Sequence, residues 1–329
     1  MAAPMNVQQL AGWLPIQICW RPSGPAVDWC YVGDRRLTAP FYEQTIGRCL
    51  DCPGNLLFRH ETPLDALAEL YAARPGLQPR GFIFHMSRCG STLVSQMLAA
   101  LPQNLVVSEA GPINAVLHAN LRDARTSAET QITWLRWVVS ALGQPRGGQE
   151  QHYFIKFDSW HTLYLPLIQR AFPEVPWVFV YREPVEVIVS NLRERAGRTV
   201  PRLPEAAILG VDPIQALQMP PEEYCALVIG RYCQVAWHCH PSGKLVNHRQ
   251  LPEIVFSALL PHFRVEYPPD DLLRMRQVSQ FNAKSPGTRF ADDSSAKQAE
   301  ATAAVRLAAD KWVRPFFDKL EAARSQQTA

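Results

Sequence analysis

A polar segment of six residues, SRCGST at positions 87–92, carries the chemistry most typical of a phosphate-binding turn. Gly90 can adopt backbone angles closed to other residues, so successive amide N–H groups in the turn can point inward. Arg88 adds a permanent positive charge, and the Ser and Thr hydroxyls add hydrogen-bond donors. The sequence therefore predicts an anion site formed by Ser87, Arg88, Cys89, Gly90, Ser91 and Thr92.

The elements that flank this segment place it where an open α/β sheet binds its ligands. Residues 82–85 (FIFH) predict a strand, and the apolar run after the turn predicts a helix beginning near Leu93. The N-terminus of that helix adds partial positive charge at the turn. A nucleoside-triphosphate loop of the form GxxxxGKS/T is not formed, because no Lys follows Gly90. Taken alone, the segment also fits an ordinary glycine turn with an N-capping Ser or Thr.

A second segment, residues 177–195, ends its strand in a positive charge. Residues 177–181 (WVFVY) predict a buried strand, and Arg182 follows it directly. Pro184 suits the first turn of a helix, in which Ser190 lies on the edge of the apolar stripe. Arg182 and Ser190 can converge on one phosphate, with Arg182 making a two-pronged charge-assisted contact. The alternative is a surface Arg and a solvent-facing Ser.

Together and in this order, the two segments resemble the sulfotransferases that use 3′-phosphoadenosine 5′-phosphosulfate (PAPS). In that family a strand–loop–helix motif reads RSGST or KSGTT, and a later strand carries RxPxxxxxS. Here the first motif is RCGST, with Cys89 where Ser is usual, and the second motif occupies residues 182–190. Residues 108–117 (SEAGPINAVL) and 282–297 (NAKSPGTRFADDSSAK) also look like those of bacterial members. The resemblance covers about residues 80–320.

This resemblance implies PAPS as co-substrate, no required metal, and a small-molecule acceptor that carries a hydroxyl or an amine. The turn would bind the 5′-phosphosulfate, with Arg88 at its leaving and bridging oxygens. Arg182 and Ser190 would bind the 3′-phosphate. Family members close a basic loop over that phosphate, and Lys284 and Arg289 lie in the corresponding loop, although the pattern RKGxxG is absent. A solvated loop is the alternative for these two residues.

Transfer to the acceptor needs a general base. In the family, the pattern KTHLP places a His two residues after a strand-end Lys. Here the Lys is Lys156, and the second residue after it is Asp158. Glu109 and His161 are the other candidates for the base. Asp158 also fits a helix N-cap, and Lys156 either adds charge at the transferred group or extends along the sheet edge.

Length and composition are those of a globular protein. The chain has 329 residues, of which 47% are hydrophobic and 19% charged, with a formal net charge of +3. A charge this small does not indicate nucleic-acid binding, and no apolar run is as long as a membrane span. The N-terminus, MAAPMNVQQL, lacks a signal pattern, so the expected location is cytoplasmic. The oligomeric state is not indicated.

The eight cysteines predict free thiols, as is usual in a reducing compartment. Cys49 and Cys52 form a CxxC pair, and CQVAWHCH at residues 233–240 combines Cys with His, so zinc is an alternative. The second group follows no standard ligand spacing, and no metal site is predicted. Cys89 lies beside Arg88 at a helix N-terminus, which predicts a lowered thiol pKa.

The order of predicted elements indicates an α/β fold of the P-loop type. Strands alternate with helices, which implies a central, mostly parallel sheet covered by helices on both faces. The predicted strands are 82–85, 105–107, 153–157, 177–181 and 244–247, and the predicted helices include 127–142, 184–195, 223–237 and 296–313.

Two regions of unequal size are expected. Residues 1–79 predict an accessory α+β segment with a hairpin that turns at Gly33–Asp34 and a helix that begins at Thr62–Pro63. Residues 80–329 predict the sulfotransferase-like P-loop domain.

Two other functions remain open from the sequence. A P-loop nucleotide or small-molecule kinase shares this fold but needs an acidic residue near the loop to hold Mg²⁺, and Asp158 could imitate it. A nucleotide-binding module without catalysis would keep Arg182 and Ser190 but lack a working base.

Overall fold

Parallel strands at the centre of the chain position the predicted site. The computed structural model describes residues 7–194, 199–201, 206, 208–289 and 291–327. Its strands are β1 (Trp13–Arg21), β2 (Gly24–Tyr31), β3 (His60–Pro63), β4 (Pro79–His85), β5 (Asn104–Ser108), β6 (His152–Lys156), β7 (Trp177–Tyr181), β8 (Lys244–Asn247), β9 (Phe281–Asn282) and β10 (Ser285–Arg289).

Within the described residues, β4 to β8 form a five-stranded parallel sheet in the order β5-β6-β4-β7-β8. The five strands predicted from the sequence are therefore confirmed. Ile83 of β4 pairs with Lys156 on one side and with Val178 on the other. Because the strands run parallel, the carboxyl ends of β4, β6 and β7 lie at one edge of the sheet, where the two motifs begin.

Helices flank this sheet, so the predicted α/β class is confirmed. They are α1 (Tyr42–Leu50), α2 (Pro53–Leu57), α3 (Asp65–Ala73), α4 (Ser91–Ala99), α5 (Gly111–Leu117), α6 (Ala119–Arg122), α7 (Ala128–Leu142), α8 (Leu165–Ala171), α9 (Pro184–Arg193), α10 (Pro213–Gln218), α11 (Pro221–Cys239), α12 (Leu260–His262), α13 (Pro269–Ser279), α14 (Ser294–Glu300), α15 (Ala303–Trp312) and α16 (Arg314–Gln327).

Continuous apolar runs explain why the central strands are buried on both faces. Every residue of β7 is buried, and so are the last five residues of β4. On α4, Val94, Met97 and Leu98 are fully buried against the neighbouring strands. Burial of such side chains contributes about 1.5–3 kcal/mol each. The helix that follows the phosphate-binding turn is therefore held firmly against the sheet.

The predicted hairpin at Gly33–Asp34 is wrong. Residues 24–31 form β2, whose antiparallel partner is β1 on its N-terminal side, and Trp13 pairs with Tyr31. The chain turns between Arg21 and Gly24 instead. After β2, the N–H groups of Val32 and Gly33 both donate to the Gly12 carbonyl, so the chain leaves the sheet there.

The predicted helix start at Thr62–Pro63 is also wrong, because both residues belong to β3. The Thr62 hydroxyl accepts a hydrogen bond from the Trp29 indole at 2.9 Å, so it stabilises the small sheet instead of a helix. The helix α3 begins at Asp65. The boundary between residues 1–79 and 80–329 stays a prediction, and β1 packs against α5 and α7 across it.

The predicted helix over 296–313 is interrupted. Helix α14 ends at Glu300, and α15 begins at Ala303 after Thr302, whose side chain accepts from the Val305 N–H. A capping Thr favours a new helix start over a continuous helix. The interruption therefore makes α14, which follows Asp293, a separate short helix before α15.

Candidate phosphate-binding and catalytic site

A cavity of about 490 Å³ lies at the carboxyl ends of β4, β6 and β7. Most of the residues singled out from the sequence line it together. They are Ser87, Arg88, Cys89, Gly90, Ser91, Thr92, Glu109, Lys156, Asp158, Arg182, Ser190 and Lys284. The structure therefore brings the two motifs, predicted as separate segments, to one cavity.

The turn at residues 87–92 has an unusual backbone. Ser87, Arg88 and Gly90 have φ values of 76°, 49° and 91°, all in the left-handed region. Such angles are strained for Ser and Arg, and this kind of strain concentrates at functional sites. Helix α4 begins at Ser91, two residues before the predicted start, so the Ser91 and Thr92 hydroxyls lie in its first turn.

Gly90 is required by space as well as by its φ value. A Cβ atom at this position would lie 2.7 Å from Leu251 Cδ1 and 2.8 Å from His248 Nδ1. The His248 ring also hydrogen-bonds with the Cys89 carbonyl at 3.2 Å. The segment after β8 therefore packs directly on the turn and fixes its shape.

The predicted lowered pKa of Cys89 is wrong. The Cys89 side chain is buried, and its Sγ lies 3.0 Å from the Val180 carbonyl oxygen. Burial raises the pKa of the thiol to about 11, which outweighs the neighbouring amides and the charges of Lys156 and Arg182. Cys89 is therefore a neutral packing residue beneath the turn.

Arg88 extends from the turn toward the end of α9. Its Nη1 donates to Glu194 Oε2 at 2.8 Å, and its Nη2 donates to the Glu194 carbonyl at 2.7 Å. The Glu194 side chain is largely exposed. An exposed ion pair of this kind is weak, so Arg88 can exchange Glu194 for an anionic ligand at low cost.

Arg182 is held by partners on two sides. Its Nε donates to Glu186 Oε2 at 2.6 Å, and both side chains are buried. Its Nη2 donates to Asp293 Oδ1 and to Ser294 Oγ, each at 3.0 Å. Glu186 fixes the guanidinium from the protein side, whereas Asp293 contacts it from the cavity wall. Ser190 lies one helical turn beyond Glu186 and lines the same cavity.

Lys156, Glu109 and His85 form a compact charged group at the ends of β6, β5 and β4. Lys156 is 1% exposed, and its Nζ forms an ion pair with Glu109 Oε1. The Glu109 carboxylate also lies 3.5 Å from His85 Nε2. Burial favours its neutral form, but Lys156 and His85 together outweigh burial and lower the pKa of Glu109. Glu109 has a φ of 58°, a further strained residue in the cavity wall.

His85 connects the turn to the neighbouring strand. Its Nδ1 accepts a hydrogen bond from the Ser87 N–H at 3.0 Å, so the ring proton lies on Nε2, which donates to the Phe157 carbonyl at 3.0 Å. Burial, reinforced by the charge of Lys156, lowers the pKa of His85 to about 4. The ring is therefore neutral at physiological pH.

The other two candidate bases differ in their access to the cavity. Asp158 lines the cavity and also occupies the N-cap of a short 3₁₀ helix, Ser159–Tyr164. His161 is 1% exposed, and its Nδ1 accepts from the Asp158 N–H at 3.3 Å. Its Nε2 lies 3.4 Å from Asn114 Oδ1. The structure thus places His161 as a partner of Asp158 and not in the cavity wall.

The two basic residues of the C-terminal loop are separated. Lys284 lies at the turn between β9 and β10, lines the cavity, and has its Nζ 5.7 Å from the centroid of the Phe41 ring. Arg289, at the end of β10, is exposed and is not among the cavity-lining residues. Phe41 also faces Lys156 Nζ at 5.4 Å, so one ring lies between two cations.

Sequence reasoning missed several residues of this cavity. They are Phe41, His85, His248, Phe281, Asn282, Ala283 and Asp293. His85 has a signal in the sequence, since it is a polar residue at the end of an apolar strand, immediately before the turn. Asn282, Ala283 and Asp293 lie in the segment 282–297 that resembles bacterial members, and Phe281 adjoins it. Phe41 and His248 reach the cavity from other parts of the chain, which spacing alone does not reveal.

Neither a metal-binding group nor a membrane-spanning helix is found in the part of the chain that the structure describes. In that part, no three His, Cys, Asp or Glu side chains form a group that could hold a metal ion. No helix in the described ranges has the length and apolar character needed to cross a membrane.

Residues 79–216 match the family model described as "Sulfotransferase family". The matched segment contains both motifs, from the turn at 87–92 to Ser190. Over residues 79–216 the chain is therefore similar to the sulfotransferase family, in agreement with the resemblance predicted from the two motifs.

Solved structures that are similar to this chain include three bacterial sulfotransferases. STF9 from Mycobacterium avium is 13% identical, with 70% of this chain and 76% of that chain covered and a TM-score of 0.41. The sulfotransferase domain of the Synechococcus PCC 7002 olefin synthase is 15% identical, with 76% and 96% covered and a TM-score of 0.42. The sulfotransferase from Alicyclobacillus acidocaldarius is 14% identical, with 75% and 96% covered and a TM-score of 0.35. No curated protein matches significantly, so the likeness to the family rests on the family model over residues 79–216.

Proposed function

We propose that this protein transfers a sulfuryl group from PAPS to a hydroxyl or amine of a small-molecule acceptor. The observation that carries the proposal is the convergence of two anion-binding groups on one cavity. The turn around Gly90 lies at the end of β4, and Arg182 with Ser190 lies at the adjacent end of β7. An adenosine with phosphates at its 5′ and 3′ positions could place one phosphate at the Gly90 turn and the other at Arg182 and Ser190.

The turn and α4 supply the groups suited to the 5′-phosphosulfate. The positive end of α4 favours an anion, and the Ser91 and Thr92 hydroxyls in its first turn add donors. Arg88 lies beside them and pairs with the exposed Glu194. When PAPS binds, Arg88 would release the Glu194 carboxylate and contact the oxygens of PAPS that become more negative during transfer.

The reaction is an in-line displacement at sulfur. The acceptor oxygen or nitrogen forms a bond to sulfur while the bond from sulfur to the 5′-phosphate oxygen breaks, which releases adenosine 3′,5′-bisphosphate. The acceptor proton passes to a base, and positive groups stabilise the charge on the equatorial and leaving oxygens. Arg88 and Lys156 are the cations placed for this role.

We assign the base to Glu109. It lies in the cavity wall, is ionised, and contacts Lys156, whereas His161 is enclosed by Asp158 and Asn114. As Lys156 turns toward the sulfuryl oxygens, the carboxylate loses its neighbouring positive charge. The pKa of Glu109 then rises, which makes it a better proton acceptor at the moment of transfer.

Ligand binding without metal tests the proposed donor. In a buffer containing EDTA, we expect adenosine 3′,5′-bisphosphate to raise the unfolding temperature of the protein, because a ligand that binds only the folded state stabilises it. Adenosine 5′-monophosphate should raise the unfolding temperature much less, since it lacks the 3′-phosphate. Stabilisation only by Mg-ATP would support a kinase, and binding without transfer to a panel of alcohols, phenols, amines and sugars would support a non-catalytic module.

Replacement of Arg88 by Ala should lower turnover more than it lowers donor affinity. Its charge acts on oxygens that become more negative during transfer, so kcat should fall by about 100-fold. The measurement is the rate of transfer of labelled sulfate from PAPS, beside the affinity for adenosine 3′,5′-bisphosphate.

Glu194→Gln provides the matched control, because it removes the exposed partner of Arg88 but leaves the guanidinium. Its turnover should stay near that of the unmodified protein. A fully active Arg88→Ala variant would remove Arg88 from the mechanism.

A further inference from the structure

A carboxylate occupies the cavity side of Arg182, where the 3′-phosphate of the proposed donor would bind. Asp293, the residue before α14, accepts from Arg182 Nη2 at 3.0 Å. Its other oxygen, Oδ2, lies 2.7 Å from Lys297 Nζ. Two cations thus meet on one carboxylate, and that carboxylate lines the cavity.

Burial distinguishes the carboxylate from the two cations. Arg182 is 6% exposed and Lys297 is 4% exposed, so both charges are largely removed from water. The Asp293 side chain is 48% exposed. A buried charge requires a partner, whereas a half-exposed carboxylate can turn into solvent at low cost. Asp293 is therefore the member of the group that can leave.

The charges of the group favour a dianion over a carboxylate. Arg182 and Lys297 contribute two positive charges, and buried Glu186 contributes one negative charge that remains in place. With Asp293 these four charges cancel. With a phosphate in place of Asp293, its oxygens can accept from Arg182 and from Lys297. They can also accept from the Ser294 hydroxyl if that hydroxyl turns away from Asp292, to which it donates at 2.7 Å, while it still accepts from Arg182 at 3.0 Å.

We propose that Asp293 holds the place of the donor 3′-phosphate until PAPS binds, and that Lys297 and Ser294 then complete the phosphate site with Arg182. This inference rests on the proposed function and deepens it. The segment from Asp293 to Lys297 thus determines selectivity for a 3′-phosphorylated nucleotide. The Asp293 carboxylate competes with the 3′-phosphate for Arg182, and the Lys297 ammonium group binds that phosphate.

Replacement of Asp293 by the 3′-phosphate can be tested by measuring the equilibrium binding of adenosine 3′,5′-bisphosphate and of adenosine 5′-monophosphate. Asp293→Asn should bind adenosine 3′,5′-bisphosphate about fivefold more tightly than the unmodified protein, the size of a half-exposed ion pair. Lys297→Met should bind it about tenfold more weakly, since a charged hydrogen bond to the phosphate is lost. The affinity for adenosine 5′-monophosphate should change in neither variant, because that nucleotide carries no 3′-phosphate.

Glu300→Gln is the matched control. It removes one negative charge from α14 and breaks the contact of that helix with Arg193, but it does not touch Arg182. Its affinity for the bisphosphate should stay within about twofold of the unmodified protein. An equal gain for Glu300→Gln and Asp293→Asn would overturn the proposal in favour of a general charge effect.

The outcomes separate this inference from the proposed function. One outcome is that the unmodified protein prefers the bisphosphate while Asp293→Asn binds it no more tightly. In that case the proposed role of Asp293 is wrong, but the proposed PAPS site is still supported. If the unmodified protein has no preference for the bisphosphate over the monophosphate, the proposed function fails and the exchange fails with it.

Discussion

Replacement of Arg182 by Ala is expected to reduce the affinity for adenosine 3′,5′-bisphosphate by about 100-fold or more. The guanidinium is the buried cation at the end of β7, and its removal takes away the charged donors that would contact the 3′-phosphate. Isothermal titration would measure the effect. Arg314→Met is a suitable control, because Arg314 pairs with Glu183, the residue next to Arg182, but is not among the residues that line the cavity.

The same substitution should also destabilise the fold. Without Arg182, the buried Glu186 carboxylate loses its partner at 2.6 Å, and breaking a buried ion pair in this way costs about 3–5 kcal/mol. The double variant Arg182→Met with Glu186→Met removes both charges and should recover most of that stability. It should still fail to bind the bisphosphate. Recovery of binding together with stability would show that Arg182 acts only through the fold.

Replacement of Glu109 by Gln is expected to lower kcat by about 100-fold or more, the usual contribution of a general base. The amide keeps the shape of the side chain but cannot accept the proton. The labelled-sulfate transfer assay measures the change, and the affinity for adenosine 3′,5′-bisphosphate should remain close to that of the unmodified protein. Thermal unfolding should be followed in parallel, because Lys156 loses its ion-pair partner.

Variants of Asp158 and His161, the other two candidate bases, test whether Glu109 is the base. Asp158→Asn and His161→Gln should each retain more activity than Glu109→Gln, since Asp158 caps a short helix and His161 lies behind it. The reverse order, with Asp158→Asn the least active, would transfer the role of base to Asp158.

The pH dependence of the reaction gives an independent measurement of Glu109. Lys156 and His85 outweigh burial, so the pKa of Glu109 lies below its ordinary value of 4.5. The carboxylate therefore stays ionised through the range in which an ordinary Glu gains a proton. The acid limb of kcat/KM should fall below pH 4.5, and the stability that this carboxylate contributes should likewise be present above pH 4.5 and lost as the pH falls below it.

The central fold could be predicted because its signals are local. Trp177 to Tyr181 form an uninterrupted apolar run, and such a run can be buried only in the middle of a sheet. The turn at Gly90 could also be predicted, since Gly90 lies between an apolar strand and an apolar helix. The hairpin at Gly33–Asp34 was wrong for the opposite reason, because the true partner of β2 precedes it in the chain and Gly33 only ends the strand.

The pKa shifts and ion pairs of the site could not be predicted from residues that are adjacent in the sequence. Cys89 stands beside Arg88, yet burial under the turn decides the pKa of its thiol. Glu109 meets Lys156 and His85 from two other strands, and Asp293 reaches Arg182 from a segment more than a hundred residues away. These contacts depend on the order of strands in the sheet, which no single motif contains.

The imidazole of His85 has a consequence for the rigidity of the turn. One ring nitrogen accepts from the amide of Ser87 and the other donates to the carbonyl of Phe157, so one buried side chain braces the start of the turn against the residue that follows β6. The turn therefore cannot move relative to the end of β6 without breaking one of these two hydrogen bonds.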